Sequence, residues 1–176
     1  AFANGGMRSD PVYVTAIADA NGNIISDFAP SQTEVITRKG YYRILSVLLN
    51  VVDGGTGNRL RRPPYSITAQ TGGKTGTTND NADGWFMAFT PELVSATWVG
   101  GEERYIHFNS MAQGQGASMA LPIYGKYIRR VYDDPTLPYD QDARFHFPAG
   151  VDLCGGEGVA AEEEQTVDEA ISGAFD

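Results

Sequence analysis

The sequence predicts an α+β domain in which a small antiparallel sheet is flanked by helices. Three short strand-like segments follow one another closely, at residues 73–78, 85–89 and 93–99. The connections between them are so short that the strands can only be antiparallel neighbours. Two segments with apolar residues at helical spacing, 41–52 and 120–131, precede and follow this run. Sheet and helices together give the predicted arrangement.

The first third of the chain predicts a hairpin and then a helix. Residues 12–18 alternate like a strand, and residues 23–25 form a short return strand after the turn signal Asp19-Ala20-Asn21-Gly22. Ser31 and Glu34 have capping-box spacing ahead of the helix. Asp53-Gly54-Gly55 is expected to end it, and Gly40 either interrupts the helix or marks its true start.

The later elements are predicted from apolar patterning and turn residues. Residues 85–89 and 93–99 are mostly apolar, which predicts that both faces of the sheet are covered. The basic loop at 58–64, with Arg59, Arg61 and Arg62, is interpreted as a solvated surface rather than an anion site. In the last helix, Pro122 is expected to lie in the first turn.

Composition and charge limit the possible functions. The chain has 176 residues, 41% of them apolar and 20% charged, which is typical of a globular domain. No apolar run approaches the length needed to span a bilayer. The net charge is −9, but eight acidic residues lie between Asp152 and Asp176, where there is no Lys or Arg. The acidity is therefore a tail, and without a basic face we expect no nucleic-acid partner.

The inventory of metal-binding side chains is small. Cys154 is the single cysteine, and His107 and His146 are the two histidines. One thiol cannot build a multi-cysteine zinc site, and two histidines leave little for a histidine-based centre. We therefore expect no metal and no cofactor.

One segment carries chemistry: Thr71-Gly72-Gly73-Lys74-Thr75-Gly76-Thr77-Thr78. It superficially suggests a phosphate-binding loop, but that motif needs glycine five positions before the Gly-Lys pair, where this chain has Thr68. It also needs a long helix directly afterwards, whereas Asn79-Asp80-Asn81 follows. Nucleotide binding is therefore disfavoured.

The same segment makes better sense as a strand. Alternation places Thr75 and Thr77 on one face and Lys74 and Gly76 on the other. Two hydroxyls two residues apart can hold a carboxylate beside a lysine charge. An exposed strand edge can bind an extended peptide, and one of its N–H groups can stabilise an oxyanion. On these residues alone, an ordinary surface strand with a solvated lysine remains open.

The surroundings of this strand resemble a known family. Residues 74–78 with Asp83, Trp85 and Phe86 are similar to the Lys-Thr-Gly region of penicillin-binding proteins, and most of all to the transpeptidase domain of the class A, bifunctional type. Four further segments agree in order with that domain, at residues 2–6, 51–57, 98–100 and 120–124. The resemblance runs from residue 1 to about residue 132. It implies the fold shared by penicillin-binding proteins and serine β-lactamases.

The resemblance implies an activity and a set of partners. In this family a serine attacks the D-Ala-D-Ala bond of a peptidoglycan stem peptide, the acyl group passes to an amine of a neighbouring strand, and β-lactams acylate the same serine. Lys74, Thr75, Gly76, Thr77 and Thr78 would form the substrate site. Lys74 and Thr77 would take part in catalysis, with the Thr77 N–H as half of the oxyanion hole.

The sequence departs from the family pattern in one respect. No serine has Lys three residues later or Asn two residues later, so the Ser-x-x-Lys and Ser-x-Asn motifs are absent. Residues 1–132 are therefore interpreted as the C-terminal portion of a transpeptidase domain, and residues 133–176 as an extended exit segment with an acidic, flexible tail. As a piece without its N-terminal half, the chain is expected to be inactive and to expose apolar surface.

Two interpretations stay open. The chain is either part of an active serine transpeptidase or a catalytically dead peptide- or cell-wall-binding module of the same fold. The resemblance implies a location on the outer side of the bacterial cytoplasmic membrane, anchored by an N-terminal helix that these residues do not contain, and a glycosyltransferase partner domain upstream.

Overall fold

The computed structural model describes residues 1–151 and 153. In chain order its elements are β1 (Met7–Ser9), β2 (Ala16–Ala18), β3 (Ile24–Asp27), β4 (Gln32–Glu34), α1 (Arg38–Asp53), β5 (Gly72–Thr77), β6 (Asp83–Phe89), β7 (Val94–Gly100), α2 (Met111–Gly114) and α3 (Gly116–Asp133). Short 3₁₀ turns lie at Asn58–Arg61 and Asn79–Asn81. The predicted α+β class is confirmed.

The centre of the molecule is a three-stranded antiparallel sheet in the order β5-β6-β7. Each strand begins and ends within two residues of its prediction. Helix α3 packs on the face that carries Gly84, Phe86 and Ala88, hereafter the α3 face. The opposite face carries Trp85, Met87 and Trp98, hereafter the open face.

Helix α1 begins later than the predicted cap. Its N-cap is Thr37, whose side chain accepts a hydrogen bond from the Gly40 N–H at 3.3 Å, so Gly40 lies in the first turn. The capping box at Ser31 and Glu34 is wrong, because residues 32–34 form β4 and pair with β1. The predicted stop is confirmed: the Gly54 and Gly55 N–H groups both bond to the Asn50 carbonyl.

Helix α3 is longer at its start than predicted. It begins at Gly116, so Pro122 is its seventh residue and lies beyond the first turn, contrary to the prediction. Proline has no N–H, so the Ser118 carbonyl loses its intrahelical partner there. The helix continues because its other side chains bury a long apolar stripe that includes Leu121, Tyr124 and Ile128.

Two apolar clusters hold these elements together. The first joins α3 to the α3 face and includes Phe86, whose ring centroid lies 5.3 Å from that of Tyr124. The second joins α1 to Phe89 at the far end of β6. Phe145 and Phe147 pack on this second cluster from the segment after α3. The sheet thus has helices on both sides, but α1 covers only one end of its own side.

The segment after α3 has no helix or strand up to residue 151, and it is tied to the sheet. The Asp140 N–H donates to the Glu92 carboxylate at 2.7 Å, and the Phe145 N–H donates to the Gln70 side-chain oxygen at 2.7 Å. Predictions that concern the acidic tail and Cys154 lie outside the described residues.

The predicted first hairpin is confirmed, although it is shorter than expected. β2 pairs with β3 with an irregularity after Ile17, and residues 12–15 lie outside the strand. The Asn23 side-chain amide donates to the Asp19 carboxylate at 2.8 Å, and the Asn23 and Asn21 backbone N–H groups donate to it at 2.9 and 2.8 Å. These hydrogen bonds fix the turn and lower the pKa of Asp19. The pairing of β1 with β4 was not predicted.

Arg61 corrects the interpretation of the basic loop. Its guanidinium bonds to the Asp53 carboxylate at 2.6 and 2.9 Å and donates to the carbonyls of Ile67 and Ala69 at 2.9 and 2.8 Å. These hydrogen bonds mean that the Arg61 side chain is not freely solvated. The link at residues 66–70 forms no strand, so its carbonyls need a donor from elsewhere, and Arg61 supplies it for these two.

The open face is incompletely covered within the described part of the chain. Trp85, Met87 and Trp98 are 41%, 43% and 47% exposed, and the Trp85 and Trp98 ring centroids lie 6.4 Å apart. The expected exposure of apolar surface is therefore confirmed. The prediction that both faces of the sheet are covered is therefore wrong for the open face within the described residues.

Candidate functional site

The Lys-Thr-Gly segment lies on β5, a strand with one neighbour among the described residues. The register pairs Lys74 with Met87, Thr75 with Phe86 and Thr77 with Gly84. Directly opposite residues share a face, so Thr75 and Thr77 lie on the α3 face and Lys74 on the open face. The predicted alternation is confirmed. Phosphate-loop geometry is excluded, because the segment is a strand, and a short 3₁₀ turn and β6 follow it instead of a long helix.

The backbone hydrogen bonds of β5 define which groups face its outer edge. The Thr78 N–H donates to the Asp83 carbonyl at 3.0 Å, so these opposite residues form a hydrogen-bonded pair. Bonded and non-bonded pairs alternate along an antiparallel ladder. The N–H and C=O groups of Thr75 and Thr77 therefore point away from β6. An extended peptide can add to these groups as a further strand.

The lysine side chain lies across this edge. The Lys74 Nζ donates to the Thr75 carbonyl at 2.6 Å, and Lys74 is exposed. This contact holds the ammonium against the outward carbonyl of Thr75. An exposed ammonium with one backbone carbonyl as its partner can still bind a carboxylate, since it has three donor hydrogens.

Each threonine hydroxyl has a partner from another part of the chain. The Thr77 Oγ1 accepts a hydrogen bond from the Gly116 N–H at 3.0 Å. The Thr75 and Thr56 Oγ1 atoms lie 3.2 Å apart, and either hydroxyl can be the donor. Sequence reasoning assigned no role to Thr56 or Gly116, because both contacts join residues far apart in the chain.

Gly116 is where α3 approaches the strand most closely. A Cβ atom there would lie 2.4 Å from the carbonyl oxygens of Gly76 and Trp85, which is too close for any side chain. The glycine lets the first turn of α3 sit directly on β5 and β6. This approach brings the Gly116 N–H within reach of the Thr77 hydroxyl.

Asp83 closes the β5–β6 hairpin by hydrogen bonds. Its carboxylate accepts from the Thr78 hydroxyl at 3.1 Å and from the Trp98 indole N–H at 3.1 Å. The turn residues Asp80 and Asn81 have positive φ, a conformation that Asp and Asn tolerate better than most residues. Asp83 thus joins all three strands at the end where Thr77 lies.

Among the residues that the structure describes, no other titratable side chain forms a hydrogen bond or ion pair with the side chains of Lys74, Thr75 or Thr77. His107 is exposed, and its Nδ1 lies 3.2 Å from the Phe108 carbonyl. Residues 1–151 and 153 contain no group of three or more metal-binding side chains. The described helices include none that is long and apolar enough to cross a membrane. The site as described is an edge strand with one ammonium and several hydroxyl and main-chain groups.

Comparison with known proteins identifies the family to which this chain is similar. Residues 1–107 match the family model of the penicillin binding protein transpeptidase domain. Penicillin-binding protein 1A of Rickettsia prowazekii (strain Madrid E) is 32% identical over 163 residues, which covers 78% of this chain and 20% of the relative. The chain therefore spans about a fifth of the length of this curated relative.

Two solved structures share the fold. The crystal structure of penicillin-binding protein 1A from Haemophilus influenzae has a TM-score of 0.62 at 24% identity. The match covers 78% of this chain and 26% of the Haemophilus protein. The structure of penicillin-binding protein PonA1 from Mycobacterium tuberculosis has a TM-score of 0.64 at 19% identity. The match covers 94% of this chain and 43% of PonA1. The resemblance drawn from the motifs is confirmed, and the chain belongs to the penicillin-binding protein transpeptidase domain family.

Proposed function

We propose that this chain is the sheet-bearing, C-terminal part of a serine-type D,D-transpeptidase domain that cross-links peptidoglycan stem peptides. The observation that carries the proposal is the edge of β5. There the exposed Lys74 ammonium donates to the Thr75 carbonyl, on the edge to which the N–H and C=O groups of Thr75 and Thr77 point. This edge suits an extended peptide that ends in a carboxylate.

The proposed roles follow from what each group can donate. Lys74 and the hydroxyls of Thr75 and Thr77 hold the terminal carboxylate of the D-Ala-D-Ala peptide. Gly76 has no side chain on the open face, which leaves room for the peptide above the strand. The Thr77 N–H points outward and serves as one oxyanion donor. Thr78 holds the end of the strand through Asp83.

The reaction needs a serine from outside this chain. Its hydroxyl oxygen bonds to the carbonyl carbon of the penultimate D-Ala as the peptide C–N bond breaks, and the terminal D-Ala leaves with a proton on its nitrogen. An amine of a second stem peptide then forms the new C–N bond and releases the serine. In β-lactams the attacked amide lies in the ring, so the leaving nitrogen stays attached.

The location and the missing parts are proposed together. The nucleophile, its lysine base and the Ser-x-Asn motif lie in an N-terminal half of the domain, which packs on the open face around Trp85, Met87 and Trp98. That larger protein is held at the outer side of the cytoplasmic membrane by an N-terminal helix. The reaction as proposed uses no cofactor, metal or nucleic acid.

A fluorescent penicillin tests the proposal. The 176-residue chain alone should stay unlabelled, because an unactivated serine hydroxyl is a weak nucleophile at neutral pH. Joined to its upstream half, it should be labelled. In the joined protein, Lys74→Ala should slow acylation by about 10- to 100-fold, since a hydrogen bond to a charged group is lost, and Thr77→Ala by about 3- to 10-fold, since its N–H remains.

Lys126→Ala, which removes an exposed lysine from α3, is the matched control and should acylate like the unaltered protein. Labelling of the isolated chain would place the nucleophile within it and overturn the proposal. A joined protein that binds stem peptide but takes no label would favour the catalytically dead binding module instead.

A further inference from the structure

The loop after α1 presents one hydroxyl to the strand edge. Thr56 lies between Gly55 and Gly57, and its Oγ1 is 3.2 Å from the Oγ1 of Thr75. Nineteen residues separate the two threonines in sequence. Both side chains are near the surface, and the Thr56 side chain has no other hydrogen bond among the described residues. The contact therefore belongs to the site and not to the apolar core.

The two glycines hold Thr56 in a fixed place. The Gly57 N–H donates to the Val51 carbonyl at 2.8 Å. A Cβ atom at Gly55 would lie 2.9 Å from the Val51 Cα, and one at Gly57 would lie 3.1 Å from the Val51 oxygen. The turn thus packs against the last turn of α1; a Cβ atom at Gly55 would force the backbone to shift, and one at Gly57 would be tightly packed. Thr56 therefore lies on a turn whose backbone is hydrogen-bonded to the end of α1 on both sides of it.

The numbers of donor hydrogens and acceptor lone pairs determine how the Thr56–Thr75 contact is arranged when an anion binds. Each threonine hydroxyl has one proton and two acceptor lone pairs, whereas a carboxylate only accepts. A carboxylate bound at Thr75 takes the Thr75 proton, so Thr56 must then be the donor to Thr75. The chain Thr56 O–H to Thr75 O–H to carboxylate polarises each bond in the same direction and strengthens the last one.

We propose that Thr56 is a positioning residue for carboxylate binding, acting through the Thr75 hydroxyl. This inference rests on the proposed function, in which β5 holds the carboxylate of the acyl donor. Thr56 does not touch the substrate in this arrangement. It orients the hydroxyl proton of Thr75 toward the outer edge of β5. The Lys74 ammonium lies at the same edge, where it donates to the Thr75 carbonyl.

The test compares two probes in the protein that joins this chain to its nucleophile. One probe is a fluorescent penicillin with its free carboxylate, and the other is its methyl ester. Thr56→Val keeps the shape but removes the hydroxyl, and should slow acylation by the free acid about 2- to 10-fold. The ester accepts hydrogen bonds only as a neutral group, so its acylation rate should fall by less than that of the free acid. Thr56→Ser should restore the rate with the free acid.

Controls separate this proposal from loss of structure and from failure of the proposed function. Thr33→Val, at an exposed threonine of β4, should leave both rates unchanged. If Lys74→Ala lowers the acid-to-ester ratio but Thr56→Val does not, the role of Thr56 is wrong and the proposed function stands. If Lys74→Ala leaves the ratio unchanged, the carboxylate site itself is wrong. Equal slowing of both probes by Thr56→Val would show a merely structural role and overturn the proposal.

Discussion

The two faces of the central sheet are made from alternate residues of the same strands, yet they are used differently. On the α3 face, Phe86 and Ala88 are almost completely buried under α3. On the open face, the adjacent Trp85 and Met87 remain more than 40% exposed. Because side chains alternate with period two, one strand can stabilise the fold with one set of residues and present the other set to a partner.

The largest difference should come from truncating one residue on each face. Phe86→Ala should reduce the free energy of unfolding of the chain by about 3–5 kcal/mol, since it leaves a cavity against Tyr124. Trp85→Ala should cost about 1 kcal/mol or less, because much of that ring already contacts water. Urea unfolding followed by far-UV circular dichroism measures both. Equal losses would show that the open face is packed in solution.

A smaller difference should follow from adding one carbon to each face. Gly116→Ala places a Cβ 2.4 Å from two carbonyl oxygens on the α3 side, so α3 must move away, at a cost of about 1–3 kcal/mol. In Gly76→Ala the nearest atom to the added Cβ is the Trp85 Cβ, at 3.2 Å, so this change should cost less. Thermal melts of the two variants give the order. A more stable Gly116→Ala variant would contradict the close approach of α3.

The smallest expected effect is the pH dependence that Tyr124 contributes on the α3 side. Burial raises the pKa of Tyr124 above its ordinary value. Its contribution to stability is complete below the unfolded-state pKa of about 10 and is lost as pH rises above it, because the unfolded chain ionises first. Tyr124→Phe should therefore flatten the fall in the urea midpoint between pH 9 and 11, roughly the range around that value. The matched control is Tyr13→Phe, at a tyrosine 92% exposed; if it flattened the fall equally, Tyr124 would not be its source.

The sequence predicts those parts of the fold that depend on neighbours in the chain. The alternation in residues 73–78, the short turns and the stripe of α1 each act locally, and the structure follows them. The capping-box spacing of Ser31 and Glu34 was also local, but pairing with β1 prevailed over it. The prediction that Arg61 is solvated was wrong because its partners, the Ile67 and Ala69 carbonyls, belong to a link that forms no strand, which the local sequence does not reveal.

The candidate site shows the same limit. Lys74, Thr75 and Thr77 are adjacent in sequence, so their faces follow from the strand period alone. The contacts of Thr77 with Gly116 and of Thr75 with Thr56 depend on how α3 and α1 dock, and no local pattern encodes either distance. The glycines near Thr56 and at residue 116 are the one feature of the sequence that indicates these contacts, since glycines often mark places where two backbones approach closely.

The outward edge of β5 also has a consequence for aggregation. A strand with unpaired N–H and C=O groups is a template on which any extended chain can add, including a second copy of the same protein. β5 is only six residues long, and Lys74 places a charge across the Thr75 carbonyl. Short length and a lysine are features that natural sheets use to discourage such pairing. The residue proposed to attract the carboxylate of a substrate would thus also help to keep unwanted strands away.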